Sequence, residues 1–184
     1  MLQKLCPHPD FPSLLVAQVE VELGRSAVGS LVLHYRVKAA PSDLRLPAPA
    51  APVRADGLWQ HSCFELFVRT AAPGPYFEFN FSPSSKWSAY RFDGHRSGMT
   101  TASIPTPPCI RMHCAPDLVE LTVQLELDQL PEMAGAAEWH IGLSAVIEEA
   151  DGRKSYWALA HPAGPPDFHH SDCFALELAA PSGP

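Results

Sequence analysis

Two stretches concentrate the side chains capable of chemistry. The first runs from Trp59 to Phe92, WQHSCFELFVRTAAPGPYFEFNFSPSSKWSAYRF. It reads as three strands joined by two short connections, which are expected to pair in order. Strict alternation gives Phe64, Leu66 and Val68 one apolar face with Phe77, Phe79 and Phe81. The opposite face then carries Cys63, Glu65 and Phe67 beside Tyr76, Glu78 and Asn80. In the third strand Ser88, Tyr90 and Phe92 are expected in the core, leaving Trp87, Ala89 and Arg91 on the polar side. The expectation is a wet, aromatic platform of Glu65, Glu78, Asn80, Trp87 and Arg91, with Tyr76 at one end and Trp59 leading in from a loop. Aromatic rings offer an apolar surface to the C–H side of a sugar, while carboxylate, amide and guanidinium groups hydrogen-bond its hydroxyls. The plain alternative is a solvated sheet face with one partly covered Trp.

The second stretch, SYWALAHPAGPPDFHHSDCFALEL, runs from Ser155 to Leu178. A strand ends in His161, a Pro-rich loop follows, and Asp167, His169, His170 and Asp172 precede the last strand. Adjacent His169 and His170 lack the spacing of a helical ligand pair, so no metal site is assigned. The segment reads as a loop whose Asp and His side chains satisfy backbone groups, or one that sets His161 or His169 at the edge of a ligand pocket. No dinucleotide, P-loop, zinc-protease or nucleophile-elbow motif is present in the chain. Glu65 and Glu78 on neighbouring strands leave one enzymatic reading, a general base acting on a small hydroxylated substrate, although glycoside hydrolysis needs carboxyls that face each other across the substrate. A third reading is an interaction module whose aromatic face docks a partner protein or, as a homodimer, a second copy.

The elements that must position these groups follow a period of two. Val19, Val21 and Leu23 alternate with Glu20 and Glu22 within Leu14 to Leu23; Leu31, Leu33, Tyr35 and Val37 alternate with His34, Arg36 and Lys38; Val119 through Leu127 repeat the pattern. It returns in 63–68, 76–81, 86–92, 110–114, 139–147, 155–159 and 173–178. About ten strands with no sustained helical period predict an all-β protein, an antiparallel β-sandwich of jelly-roll or immunoglobulin-like type. The Pro-rich stretches 39–57 and 98–109 are expected to be surface loops within one domain spanning 1–178, and residues 179–184 a disordered tail.

Composition excludes several partners. Thirteen Lys and Arg against twenty Asp and Glu give a charge of −7 over 184 residues, without the basic footprint that nucleic acid or an anionic membrane requires. Prolines at 7, 9 and 12 break the N-terminus before a signal-peptide run can form, so a cytoplasmic chain is expected. Five cysteines without a CxxC pair argue against a disulfide framework or structural zinc.

The run from Trp59 to Phe92, with its CFELF strand and YFEFNFSPSSKWSAYRF hairpin, resembles the DOMON-like superfamily, specifically proteins related to family 9 carbohydrate-binding modules. The segment YWALAHPAGPPDFHHSDCFALEL is similar to that family's closing segment. The resemblance implies a β-sandwich that binds a ligand, sugars in some members and haem in others. Sugar binding would carry over onto Trp59, Glu65, Glu78, Asn80, Trp87 and Arg91, with Trp157 as a further candidate beside His161 and His169. Haem-binding members use a Met and a His as axial ligands, and here Met99 and Met112 have no His companion on the platform. Related modules bind calcium structurally, but no DxDxDG-type loop is present. No cofactor is therefore assigned, and the expected partner is a carbohydrate-like small molecule.

Overall fold

The described residues form twelve strands, most of them built from alternating apolar side chains. They are β1 (Leu2–Pro7), β2 (Gln18–Arg25), β3 (Ser30–Lys38), β4 (Cys63–Thr70), β5 (Tyr76–Phe81), β6 (Trp87–Phe92), β7 (Thr100–Thr101), β8 (Cys109–Ala115), β9 (Leu118–Glu126), β10 (Glu138–Glu148), β11 (Lys154–Ala158) and β12 (Leu176–Ala179). The computed structural model describes residues 1–25, 29–72 and 74–179. Among these, the only helical pieces are 3₁₀ turns of three residues, and no helix is long and apolar enough to cross a membrane. Of the tail expected to be disordered, Ala179 ends β12 and 180–184 lie outside the described residues.

Every strand pairing is antiparallel. One sheet runs β1-β2-β3-β9-β8 and the other β7-β6-β5-β4-β10-β11, with β12 beside the first half of β10 and β11 beside its second half. β1 ties the sheets together, pairing Leu2 to Leu5 with β2 and Cys6 and Pro7 with β11. The β-sandwich expected from the alternation is the observed architecture. Its core lies between the sheets. Val19, Val21, Leu31, Leu33, Val37, Val119, Leu121 and Val123 of the first sheet meet Phe64, Leu66, Phe77, Phe79, Phe81, Ile141 and Leu143 of the second. Tyr35 crosses the layer: its ring lies 5.0 Å from Phe64 and its hydroxyl donates to the Glu65 carbonyl at 2.7 Å.

Three strand boundaries depart from the alternation. β2 starts at Gln18, not Leu14, because Ser13 makes a turn, donating its hydroxyl to Glu149 Oε1 at 2.6 Å, and Leu14 is left 71% exposed. β12 starts at Leu176 because 171–173 form a 3₁₀ turn, with His170 Nδ1 accepting from the Asp172 N–H. β1 buries only Leu5 and so shows no alternation to read.

A second apolar cluster sits on the outer face of the β4–β5–β6–β10 sheet. Phe67, Tyr76, Tyr90, Phe92, Val146 and Ala158 contribute from strands, and Phe168 and Phe174 come from the closing segment between β11 and β12. That segment lies over the sheet as a roof. Gly142 on β10 permits the approach: a Cβ there would stand 2.9 Å from the Cys173 carbonyl oxygen and 3.2 Å from Phe67 Cβ, inside ordinary contact.

Candidate functional site

Strand register decides which side chains share the outer face. Glu65 lies opposite Asn80 on β5 and Ser144 on β10, and Asn80 opposite Ser88 on β6. Glu78 lies opposite Phe67 and Tyr90. Glu65, Glu78, Asn80, Cys63 and Tyr76 therefore share the face the alternation assigns them. The third strand is inverted relative to expectation. Phe81 faces Trp87, Phe79 faces Ala89 and Phe77 faces Arg91, so these three point toward the inter-sheet side, while Ser88, Tyr90 and Phe92 take the outer face. In WSAYRF both alternating sets contain large apolar residues, so period two alone leaves the choice of face ambiguous. The 82–86 turn, with Ser85 in the left-handed region at φ 75°, sets it.

Trp87 is thus a core residue, 6% exposed. Arg91 ends its strand in surface ion pairs, Nη1 to Asp93 at 2.6 Å and Nε to Glu132 at 2.8 Å. Trp157 is also turned inward, opposite Ala145, with Nε1 donating to Ser155 Oγ at 2.9 Å. Trp59 sits in the 58–60 turn before β4 and is 53% exposed, whereas the other three tryptophans are buried.

The platform is not wet. Glu65, Glu78 and Asn80 are 3%, 6% and 0% exposed, and the roof meets Glu78 through His169. Burial of polar groups requires partners, and these are present. Ser144 donates its hydroxyl to Glu65 Oε2 at 2.9 Å, and Asn80 donates to Glu78 Oε1 at 2.6 Å. Burial first, and then the neighbouring Glu78 charge, push the Glu65 carboxyl up to about 8; burial likewise raises Glu78.

The two sequence stretches meet here through His169. Its ring stands edge-on to Phe67 and Phe92, its Nδ1 lies 2.8 Å from the Tyr76 hydroxyl and its Nε2 3.6 Å from Glu78 Oε2. The Arg96 N–H donates to that hydroxyl at 3.2 Å, so Tyr76 donates onward to His169 Nδ1 and leaves Nε2–H facing the carboxylate. Burial first, and then the Arg96 charge, hold His169 down to about 4, which keeps the imidazole neutral. His161 stands apart from this chain of contacts. Its Nε2 lies 2.9 Å from the Cys6 carbonyl and its ring is edge-on to His8, whose Nε2 lies 2.9 Å from the Gly164 carbonyl. Together they fasten the closing segment to the first strand.

Clefts of about 360 Å³ open at both ends of the roofed face. One, at the β4–β5 end, is lined by Arg69, Tyr76, His95, His169, His170 and Phe174. The other, at the β5–β6 turn, is lined by Asp56, Gln60, His61, Ser82, Ser84 and Lys86 among apolar residues that include Leu58; the exposed Trp59 stands between Leu58 and Gln60 in the chain and is not itself a lining residue. Asp56 and His61 are held in place. Asp56 Oδ1 accepts from the Tyr90 hydroxyl at 2.5 Å and from Arg54 at 2.7 Å, and hydrogen bonds from Arg54 and then Tyr90 hold its carboxyl below the ordinary range. His61 Nδ1 lies 2.8 Å from the buried Glu148, which also receives Arg45 at 2.8 Å. Burial alone would raise Glu148, but His61 and Arg45 keep its carboxyl below the usual value. Asp56, Ser144 and Arg96 were not singled out by pattern. Asp56 lies in a Pro-rich loop without period, and Ser144 joins the face only through the non-local pairing of β10 with β4.

No protein-family model matches the sequence, and no curated protein is similar to it in sequence. Similarity appears among solved structures. A protein of Bacteroides uniformis, described as a candidate carbohydrate-binding protein, superposes with a TM-score of 0.62 at 15% identity, covering 90% of this chain and 80% of that one. A family 9 carbohydrate-binding module of Caldicellulosiruptor kristjanssonii, solved with glucose, gives 0.47 at 13% identity over 80% and 69% of the two chains. The same organism's module solved with cellotriose gives 0.46 at 10% identity over 80% and 67%.

Proposed function

We propose that the chain is a non-enzymatic carbohydrate-binding β-sandwich that takes a sugar unit in the cleft beside Trp59. The observation that carries this reading is a fixed carboxylate, an amide, an imidazole and an ammonium around a volume of about 360 Å³, reached through the turn that holds the exposed Trp59 between lining residues Leu58 and Gln60, within the range of small-ligand sites. The indole face covers the C–H side of a pyranose. Asp56, held ionised by Arg54 and Tyr90, accepts from hydroxyls, and Gln60 and Lys86 donate to them. The carbohydrate-binding description of the Bacteroides uniformis protein is in keeping with this reading. Calorimetric titration of the protein with glucose and with cellotriose tests it. Saturable binding is expected, weakened at least about tenfold, or about 1.4 kcal/mol, by Trp59→Ala and by Asp56→Asn at unchanged melting temperature. Absence of heat at millimolar sugar, or full affinity in Trp59→Ala, would reject the site.

One observation favours a second reading. Glu65, raised to about 8 by burial and by Glu78, the carboxyl that His169 faces at 3.6 Å, has the protonation range of a general acid or base. In that reading the small substrate enters from the His169 cleft. Glu65→Gln would then abolish turnover with binding retained, and the reading falls if turnover survives that change.

A further inference from the structure

Strand pairing at the far end of β10 places Glu138 and His140 on one face, two residues apart, with Glu177 of β12 directly opposite His140. One donor atom from each of the three, a carboxylate oxygen, an imidazole nitrogen and a second carboxylate oxygen, lies within 4.8 Å of the others. His140 Nε2 stands 3.0 Å from Glu138 Oε1. Two atoms each held about 2.1 Å from a zinc ion at a near-tetrahedral angle lie about 3 to 3.5 Å apart, so this pair already has the spacing of two ligands. Glu177 is exposed and needs only a side-chain rotation to close the third position.

Local charge favours a cation. Two carboxylates adjoin one imidazole. Arg69, opposite His140 on its other side, is directed over the Phe174 ring at 5.3 Å. We infer that Glu138, His140 and Glu177 form a binding site for a first-row divalent metal ion. The mixed nitrogen and oxygen set selects zinc or its neighbours over calcium and magnesium, which take oxygen ligands. The remaining positions fall to water. Because β12 directly follows the closing segment, the ion would staple the end of the roof to β10.

The test is a titration of the metal-free protein with zinc, with cobalt(II) absorption as the probe of ligand type. Cys6, Cys109 and Cys114 are exposed and could bind zinc themselves, but thiolate ligation gives cobalt charge-transfer bands that nitrogen and oxygen ligation lacks. The expected result is one equivalent of zinc, a raised melting temperature, no thiolate band, and affinity lowered about tenfold or more in both His140→Ala and Glu177→Gln. Glu177→Gln alters an exposed side chain, so it decides the case even if His140→Ala folds poorly. No stoichiometric binding would show that the cluster is only the contact between Glu138 and His140 within β10. Unchanged affinity in Glu177→Gln, or a thiolate band, would place the metal elsewhere.

Discussion

The inner and outer faces of β4, β5 and β6 are both buried, by different means and at different electrostatic cost. The inner face presents Phe64, Leu66, Phe77, Phe79, Phe81, Trp87 and Ala89 to a second sheet of regular strands. The outer face carries Glu65, Glu78, Asn80 and Ser88 beside an aromatic cluster to which the irregular closing segment adds its own rings and imidazole. An apolar face needs only cover. A polar face under cover needs partners: Glu65, Glu78 and Asn80 find them on β10, β5 and the roof, whereas the buried Ser88 hydroxyl has none among the described residues. Ionisation is where the difference shows: the inner face carries no titrating carboxyl, while on the outer face two are forced toward their neutral forms.

Breaking the inner face should have the largest effect. Trp87→Ala opens a cavity between the sheets and is expected to cost about 3 to 5 kcal/mol, read as a shift in the urea midpoint. A value under about 1 kcal/mol would fit an exposed side chain and return Trp87 to the outer face.

The outer face should answer to pH instead. Glu65 titrates higher folded, at about 8, than an unfolded Glu, at about 4.3. Its contribution is fully present at low pH and is lost as pH rises through about 8; Glu78 has the same sign. His169, at about 4 folded against about 6.5 unfolded, contributes in the opposite sense: its stabilisation is present above about 6.5 and lost as pH falls toward 4. The two opposed effects overlap below about pH 6.5, so the carboxyls act alone between about 6.5 and 8. Denaturant stability is expected to fall across that window in the native chain and to flatten in Glu65→Gln. An equal slope in both proteins would mean that Glu65 ionises as freely as in the unfolded chain.

The smallest effect is expected where the roof meets the sheet. Gly142→Ala sets a Cβ 2.9 Å from the Cys173 carbonyl oxygen. A cost of about 1 to 3 kcal/mol should come with faster hydrogen exchange confined to residues 159–175. Faster exchange in the inter-sheet strands instead would show that the roof and the core open together.

Period two carries the sandwich and the outward placement of Glu65, Glu78 and Asn80, because in CFELFV and YFEFNF only one alternating set is uniformly apolar. It cannot carry the burial of those groups. An irregular loop has no period, and the aromatic cover beside them depends on Phe168, His169 and Phe174 returning across about a hundred residues of chain. It misplaces Trp87 for a different reason: WSAYRF is amphipathic on neither face, and the neighbouring strand's register decides. The cleft beside Trp59 draws Asp56 from a Pro-rich loop and Lys86 from a turn, two places where alternation is silent.

A sugar bound in the proposed cleft would shield Trp59 from solvent. Trp87, Trp139 and Trp157 are 6%, 0% and 4% exposed, so a water-soluble quencher such as acrylamide reports chiefly on Trp59. Quenching measured during a cellotriose titration, with binding followed independently by calorimetry, tests the claim most directly. Trp59 is expected to become shielded in proportion to the bound fraction. Binding heat with undiminished quenching would place the sugar elsewhere and contradict the assignment.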